Sequence, residues 1–246
     1  LEIMLFGHCF VGVAFMCGRF TLKTTAGQWL TWLDLQDFLA PFPDTEPRYN
    51  IAPTQEILAI YQEQIDSSWR GSMMRWGLVP SWAKPATKLP LMINARSETA
   101  MEKPSFREAA HGRRCVVIAD GYYEWQGQGK EKQPFWIHRP DQQPFMMAGL
   151  WDVNRQWSSK PVQSLAIVTQ ASDGLPATIH DRMPVLIDRH DLTDWLCPKP
   201  LSPSWEAWFD GRCQLQRWQA TPVRRLVNLS SNQGPGLIEQ CNMEMD

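Results

Sequence analysis

Residues 1–15, LEIMLFGHCFVGVAF, contain no lysine or arginine, so this apolar opening lacks the basic start of a secretory signal. It also falls short of the about 20 consecutive apolar residues that a membrane-spanning helix requires. Met16 stands before Cys17, where a lipid-anchored cysteine would follow a small residue. These absences favour a cytoplasmic protein with no membrane partner. The six cysteines include no Cys-x-x-Cys pair and none of the dense spacing that staples small secreted domains, which fits a reducing compartment. Histidines 8, 111, 138, 180 and 190 show no His-x-x-x-His spacing, and no glycine-rich phosphate loop precedes a helix, so no metal and no cofactor is expected. Positive charge is not in excess. With 24 Lys and Arg against 26 Asp and Glu, the formal charge of -2 leaves any attraction to phosphate to a local patch. Repeats, low-complexity tracts and long linkers are absent as well.

What is present suffices for one sizeable core: 246 residues, 43% of them hydrophobic, imply a single domain. Thirteen tryptophans are many for this length, and most are expected in the core, with a stacking surface as the alternative use. Residues 26–39 carry Trp29, Leu30, Trp32, Leu33, Leu35 and Phe38 at helical spacing, ahead of the breaker PFPDTEP. Short apolar runs rich in β-branched and aromatic residues predict strands at 57–61, 114–119, 134–138, 145–151, 164–169 and 185–187. A second helix is predicted over 188–196, capped by Asp188. Nineteen prolines among many short strands argue against regular β-α-β alternation. The fold class expected is α+β, a single domain with a strongly bent, barrel-like mixed or antiparallel sheet and a few flanking helices.

Four segments could carry chemistry, and each has an ordinary structural use. Cys17 alone reads as a small buried hydrophobe, although Gly18 and Arg19 beside it favour a reactive thiolate. In PLMINARSET, residues 90–99, Asn94 suits a turn or cap between an apolar stretch and a polar cluster. In ADGYYEW, residues 119–125, Glu124 is either a carboxylate at a strand end or, if the aromatics desolvate it, a proton shuttle. In IHDRMP, residues 179–184, His180 lies between structural and catalytic uses. A thiol hydrolase built from Cys17, His180 and a carboxylate stays open.

Taken in order, MCGRF (16–20), RYNIAP (48–53), WGLVPSW (76–82), NARSET (94–99), DGYYEW (120–125) and IHDRMP (179–184) resemble the motifs of the SOS-response-associated peptidase (SRAP) family of abasic-site processing proteins. The resemblance runs from Cys17 to Gly234 and implies a domain over residues 17–240. Residues 1–16 are expected to be a non-native or removed extension. Family members expose the cysteine after the initiator methionine and join it to the ring-opened aldehyde of an abasic site in single-stranded DNA. The resemblance makes Cys17, Asn94, Glu124 and His180 the catalytic residues, and Arg19, Pro53, Trp82, Arg96 and Arg182 the DNA-binding ones. Ala83 follows Trp82 where some members carry a second aromatic, which implies weaker stacking.

An amino-terminal cysteine combines an α-amine of pKa about 8 with a thiol of about 8.5, both nucleophilic near neutral pH. The amine can form an imine with the aldehyde and the thiol can close a thiazolidine. An internal cysteine could give only a reversible thiohemiacetal. Lyase activity at the abasic site follows from the same imine. The rival functions are autoproteolysis that frees Cys17, and non-covalent single-strand binding by Arg19, Arg96, Arg182 and Trp82. A monomer that joins the nucleoid when bound to DNA is expected.

Overall fold

A computed structural model describes residues 17–36, 43–127, 129, 132–209 and 217–241, so the expected extension over 1–16 lies outside the described residues. In chain order the elements are β1 (Phe20–Leu22), α1 (Ala26–Trp32), β2 (Arg48–Ile51), β3 (Glu56–Tyr61), β4 (Arg70–Trp76) and β5 (Asn94–Arg96). There follow α2 (Arg107–Gly112), β6 (Arg114–Ala119), β7 (Gly121–Gln126), β8 (Gln133–His138), β9 (Phe145–Asn154) and β10 (Val162–Ala171). The chain continues through α3 (Gly174–Ala177), β11 (Arg182–Pro184), α4 (Leu192–Leu196), α5 (Trp205–Phe209) and β12 (Gln219–Pro222).

The α+β class holds, and the bent sheet closes on itself. Strands pair in the order β10-β4-β3-β6-β9, and β9 pairs back onto β10 along Val162–Ile167, giving a five-stranded barrel. Pairing is antiparallel except where β10 runs parallel to β4 and then to β5, so the sheet is mixed. A second, antiparallel sheet in the order β12-β8-β7-β1-β2 leans on the barrel. The two are joined where β6 passes into β7 through Asp120 alone. That carboxylate is buried and accepts hydrogen bonds from the Thr24 hydroxyl and the Lys23 and Thr24 amides, which fixes the bend.

The sequence RCVVIA of β6 is buried throughout because one face lines the barrel and α2 and α4 cover the other. Arg114, at its start, is a fully buried cation. It is held by the carbonyls of Ala110, His111, Trp195, Cys197 and Lys199, which include the C-terminal ends of α2 and α4, where a positive charge is favoured. Burial lowers its pKa to about 10, leaving it charged at neutral pH. Most tryptophans are core, as expected; Trp195, Trp205 and Trp208 cluster with Phe209 at centroid distances from 5.0 Å (Trp205 to Phe209) to 6.2 Å (Trp195 to Phe209).

The runs at 57–61, 114–119, 134–138, 145–151 and 164–169 fall inside observed strands. Three expectations need correction. α1 stops at Trp32, because Asp34 adopts a left-handed φ of 54° that no helix continues through, and residues 37–39 lie outside the described residues. Over 188–196 a 3-10 turn, Arg189–Asp191, precedes α4, and the Asp188 side chain caps neither. Residues 185–187 are extended but form no strand; the strand is β11, just before them. There the chain leaves β10 for β9: the Val185 amide donates to Val168 O, and the Ile187 amide to Met146 O, both at 2.9 Å, so neither ladder extends.

Gly121 is the position where β7 admits the Trp136 indole from β8. A Cβ there would stand 2.2 Å from Trp136 Nε1 and 2.9 Å from the Ile137 carbonyl. Gly121→Ala is therefore expected to destabilise the fold by about 2 kcal/mol or more through overpacking. Equilibrium urea denaturation checks this, and an unchanged midpoint would contradict the packing described.

Candidate active site

Cys17 enters the fold just ahead of β1 with a left-handed φ of 45°, and this turn directs its backbone nitrogen at β7. The nitrogen donates to Glu124 Oε1 at 2.6 Å, and Sγ lies 3.7 Å from the carbonyl oxygen of Arg182 on β11. Cys17 thus bridges the second sheet and the strand at the barrel's edge. Glu124 is 2% exposed. Burial raises its pKa, while charge on His180 and the contacts with Cys17 oppose the rise. The desolvated carboxyl is what a proton shuttle requires.

The thiol departs from expectation. Its pKa is pushed well above the ordinary range by burial first and by Glu124 second, with Arg182 opposing. Arg19 does not activate it. The Arg19 guanidinium turns away to Asn50 Oδ1 (2.9 Å) and to the carbonyls of Val227 (2.6 Å) and Asn228 (3.1 Å). Asn50, fully buried, donates Nδ2–H to the carbonyls of Val227, Leu229 and Asn232. Arg19 and Asn50 together tie the loop 227–232 to the second sheet.

The C-terminal half of β10 gathers the remaining residues. Ile167 pairs with Asn94, Thr169 with Arg96, and Ala171 with Arg182. Arg182 is buried and makes a bidentate pair with Glu98 (2.6 and 2.8 Å), with a further bond to Thr169 O at 2.7 Å. His180 Nδ1 lies 3.1 Å from the Arg182 amide and 3.0 Å from Asp181 Oδ1. A proton on Nδ1 satisfies the carboxylate; its absence satisfies the amide. Cys17, Glu124, His180 and Arg182 therefore form one cluster, with Asn94 half-buried on the adjoining strand. Arg96 is exposed at the end of β5.

Trp82 is 48% exposed on a turn bolted down from beneath. Asn154 donates to Pro80 O (2.6 Å) and Ala83 O (2.8 Å), Asp152 accepts from the Ser81 amide (2.7 Å), and Ser164 accepts from the Val79 amide (2.8 Å). Ala83, where the resemblance implied weaker stacking, is fully buried beneath this turn. Pro53 is half-buried just after β2. Sequence patterning missed Glu98, Asn50, Asp152 and Asn154. The first two sit inside quoted motifs, but the last two carry no local signal, because they act on a turn about 70 residues away. Among the described residues, one group could hold a cation, Asp188, His190 and Asp191 on the turn before α4, and it shares no residue with the Cys17 cluster. No helix of the described residues is long and apolar enough to cross a membrane.

A closed mixed barrel with a second sheet, and a buried cysteine nitrogen against a desolvated glutamate, define a class of cysteine-centred α+β domain. The chain belongs to the SOS response associated peptidase (SRAP) family, whose model matches residues 16–230. It is 37% identical over 225 residues to the abasic site processing protein YoqW of Bacillus subtilis (strain 168), covering 91% of this chain and 99% of that one. It is 31% identical over 227 residues to the abasic site processing protein YedK of Escherichia coli (strain K12), with the same coverage of 91% and 99%. Among solved structures, a phage-related protein of Bordetella bronchiseptica is similar with a TM-score of 0.67 and 28% identity, covering 85% of this chain and 94% of that one. A protein of Bacteroides thetaiotaomicron shares the fold with a TM-score of 0.71 at 22% identity, covering 92% and 100%.

The raised pKa of Glu124 has a consequence for stability. The fold favours the neutral carboxyl, so its contribution is fully present below the usual value of 4.5 and is lost as pH rises through the elevated folded value. Glu124→Gln keeps the acceptor for the Cys17 N–H and removes the ionisation. The variant is expected to gain stability relative to the parent as pH increases above 4.5. Paired denaturation curves across that range check this; a constant difference would contradict the desolvation of Glu124.

Proposed function

We propose that this chain captures abasic sites in single-stranded DNA as a covalent thiazolidine formed by Cys17 acting as an amino-terminal residue. The observation that carries it is the 2.6 Å contact between the Cys17 nitrogen and a buried Glu124 carboxyl, with the thiol on the same residue. The names of the relatives, abasic site processing proteins, support the substrate. Once the amine is free, its nitrogen attacks the aldehyde carbon of the ring-opened sugar. Glu124 protonates the departing hydroxyl, one water leaves, and an imine remains. The thiol sulfur then adds to the imine carbon while its proton passes to nitrogen. One C–N and one C–S bond form, and no oxidant or reductant is needed. The high thiol pKa suits this order, because the sulfur stays protonated until the imine attracts it. His180 serves sugar ring opening and adduct reversal, and Asn94 orients the ring.

Trp82 and Arg96, both exposed, supply base stacking and a phosphate contact. Arg19 and Arg182 hold protein groups, so their part is to shape the loop 227–232 and the β11 edge. A second activity, cleavage of the bond before Cys17, draws on the same contact. While that bond is intact, its leaving nitrogen is the atom that faces Glu124: the Cys17 thiol takes the preceding acyl group as a thioester, its proton passes to that nitrogen through the Glu124 carboxyl, and water then hydrolyses the thioester.

Three forms test the proposal: a chain exposing the Cys17 amine, the same chain with Cys17→Ser, and one with a non-removable residue before Cys17. Only the first is expected to give a heat-stable adduct with an abasic single strand, at much lower yield on duplex. Cys17→Ser should leave only an imine, detected by borohydride trapping. Durable trapping by the blocked form would replace the aminothiol mechanism with an internal thiol nucleophile.

A further inference from the structure

Side chains alternate along β7, so Tyr122 and Glu124 share one face while Tyr123 and Trp125 share the other. On the second face both polar atoms are satisfied: Tyr123 OH donates to Tyr49 O at 2.8 Å, and Trp125 Nε1 donates to Asn228 Oδ1 at 2.7 Å. The first face differs. Tyr122 is 1% exposed, and its hydroxyl has no hydrogen-bond partner. The ring packs edge-on against Trp218 at 5.8 Å, and Tyr122 pairs across to Phe20 on β1, the strand that Cys17 leads into. Phenylalanine would supply all of this packing. A buried hydroxyl left unpaired is a cost without a structural return, and such a group calls for an explanation. Burial raises the phenol's pKa, and charge on Cys17 and Glu124 raises it further, so the group lies within electrostatic reach of both and stays a neutral donor at working pH.

We propose that Tyr122 is a further catalytic residue of the Cys17 site, its hydroxyl donating a hydrogen bond to the aldehyde oxygen of the bound abasic sugar. This rests on the capture of abasic sugars proposed above. The bond polarises the carbonyl for attack by the Cys17 amine and holds the oxygen that leaves as water. Glu124 moves the protons, and Tyr122 stays protonated throughout. The assignment explains why the face of β7 bearing Glu124 carries an orphaned donor while the opposite face carries none.

Tyr122→Phe separates this from a structural role, because it deletes one oxygen and keeps the ring. In a chain exposing the Cys17 amine, three quantities are compared with the parent: the denaturation midpoint, the affinity for single-stranded DNA without an abasic site, and the single-turnover rate of adduct formation at saturating abasic strand. The midpoint is expected to stay or rise, the affinity to stay, and the rate to fall by about tenfold to a hundredfold, in keeping with loss of one donor to a reacting oxygen. A rate within about twofold of the parent would overturn the assignment, as would a fall in rate matched by a fall in midpoint, which would make the hydroxyl structural. Absence of any adduct with the parent would overturn the abasic-site proposal and this assignment with it.

Discussion

The contact between the Cys17 nitrogen and Glu124 organises the site, and its strength comes from the burial of both residues. At 2.6 Å, with both residues nearly inaccessible, the contact fixes the one backbone nitrogen on which the proposed chemistry turns. It also sets the protonation of its neighbours. Desolvation keeps Glu124 neutral to higher pH than an exposed carboxylate, and the same burial keeps the thiol protonated. A desolvated carboxyl, a nitrogen and a protonated sulfur are the set that an imine followed by ring closure requires.

The rest of the fold brings two distant strands to that point. β7 delivers Glu124 because Asp120 bends the chain out of the barrel, and Gly121 lets Trp136 close behind it. β10 delivers the other half by changing partners along its length, from β9 and β4 at one end to β11 and β5 at the other. Buried polar groups lock the framework. Arg114 joins two helix ends to β6, Arg182 and Glu98 join β11 to the segment after β5, and Asn154 holds the turn that displays Trp82. Each satisfies several partners at once, so truncating it would leave unpaired groups in the interior.

Much of this is legible in the sequence, for physical reasons that differ between elements. Residues 114–119 read correctly as a strand because a β-branched run buried on both faces has no amphipathic alternative. Helix α1 was overextended because Leu33, Leu35 and Phe38 keep the helical spacing, while the left-handed turn at Asp34 leaves no periodic trace. The residues 185–187 look like a strand because they are buried and extended; their change of partner from β10 to β9 is a tertiary fact. In the site, the aromatics beside Glu124 leave open whether it is exposed or desolvated, and only the packing around it decides for burial. Arg19 beside Cys17 misled, because adjacency in sequence says nothing of where a long side chain ends, and this one ends on Val227 and Asn228. Tyr122 is one aromatic among many in the sequence, since only its surroundings show that its hydroxyl is orphaned.

The central claim, that amine and thiol of the same residue both bond to one sugar carbon, is tested most directly by the intact mass of the adduct together with a thiol count. The account predicts a mass equal to protein plus abasic strand less one water, and one titratable thiol fewer than in the free protein. A mass equal to the plain sum, or an adduct less one water in which the Cys17 thiol still titrates, would contradict it.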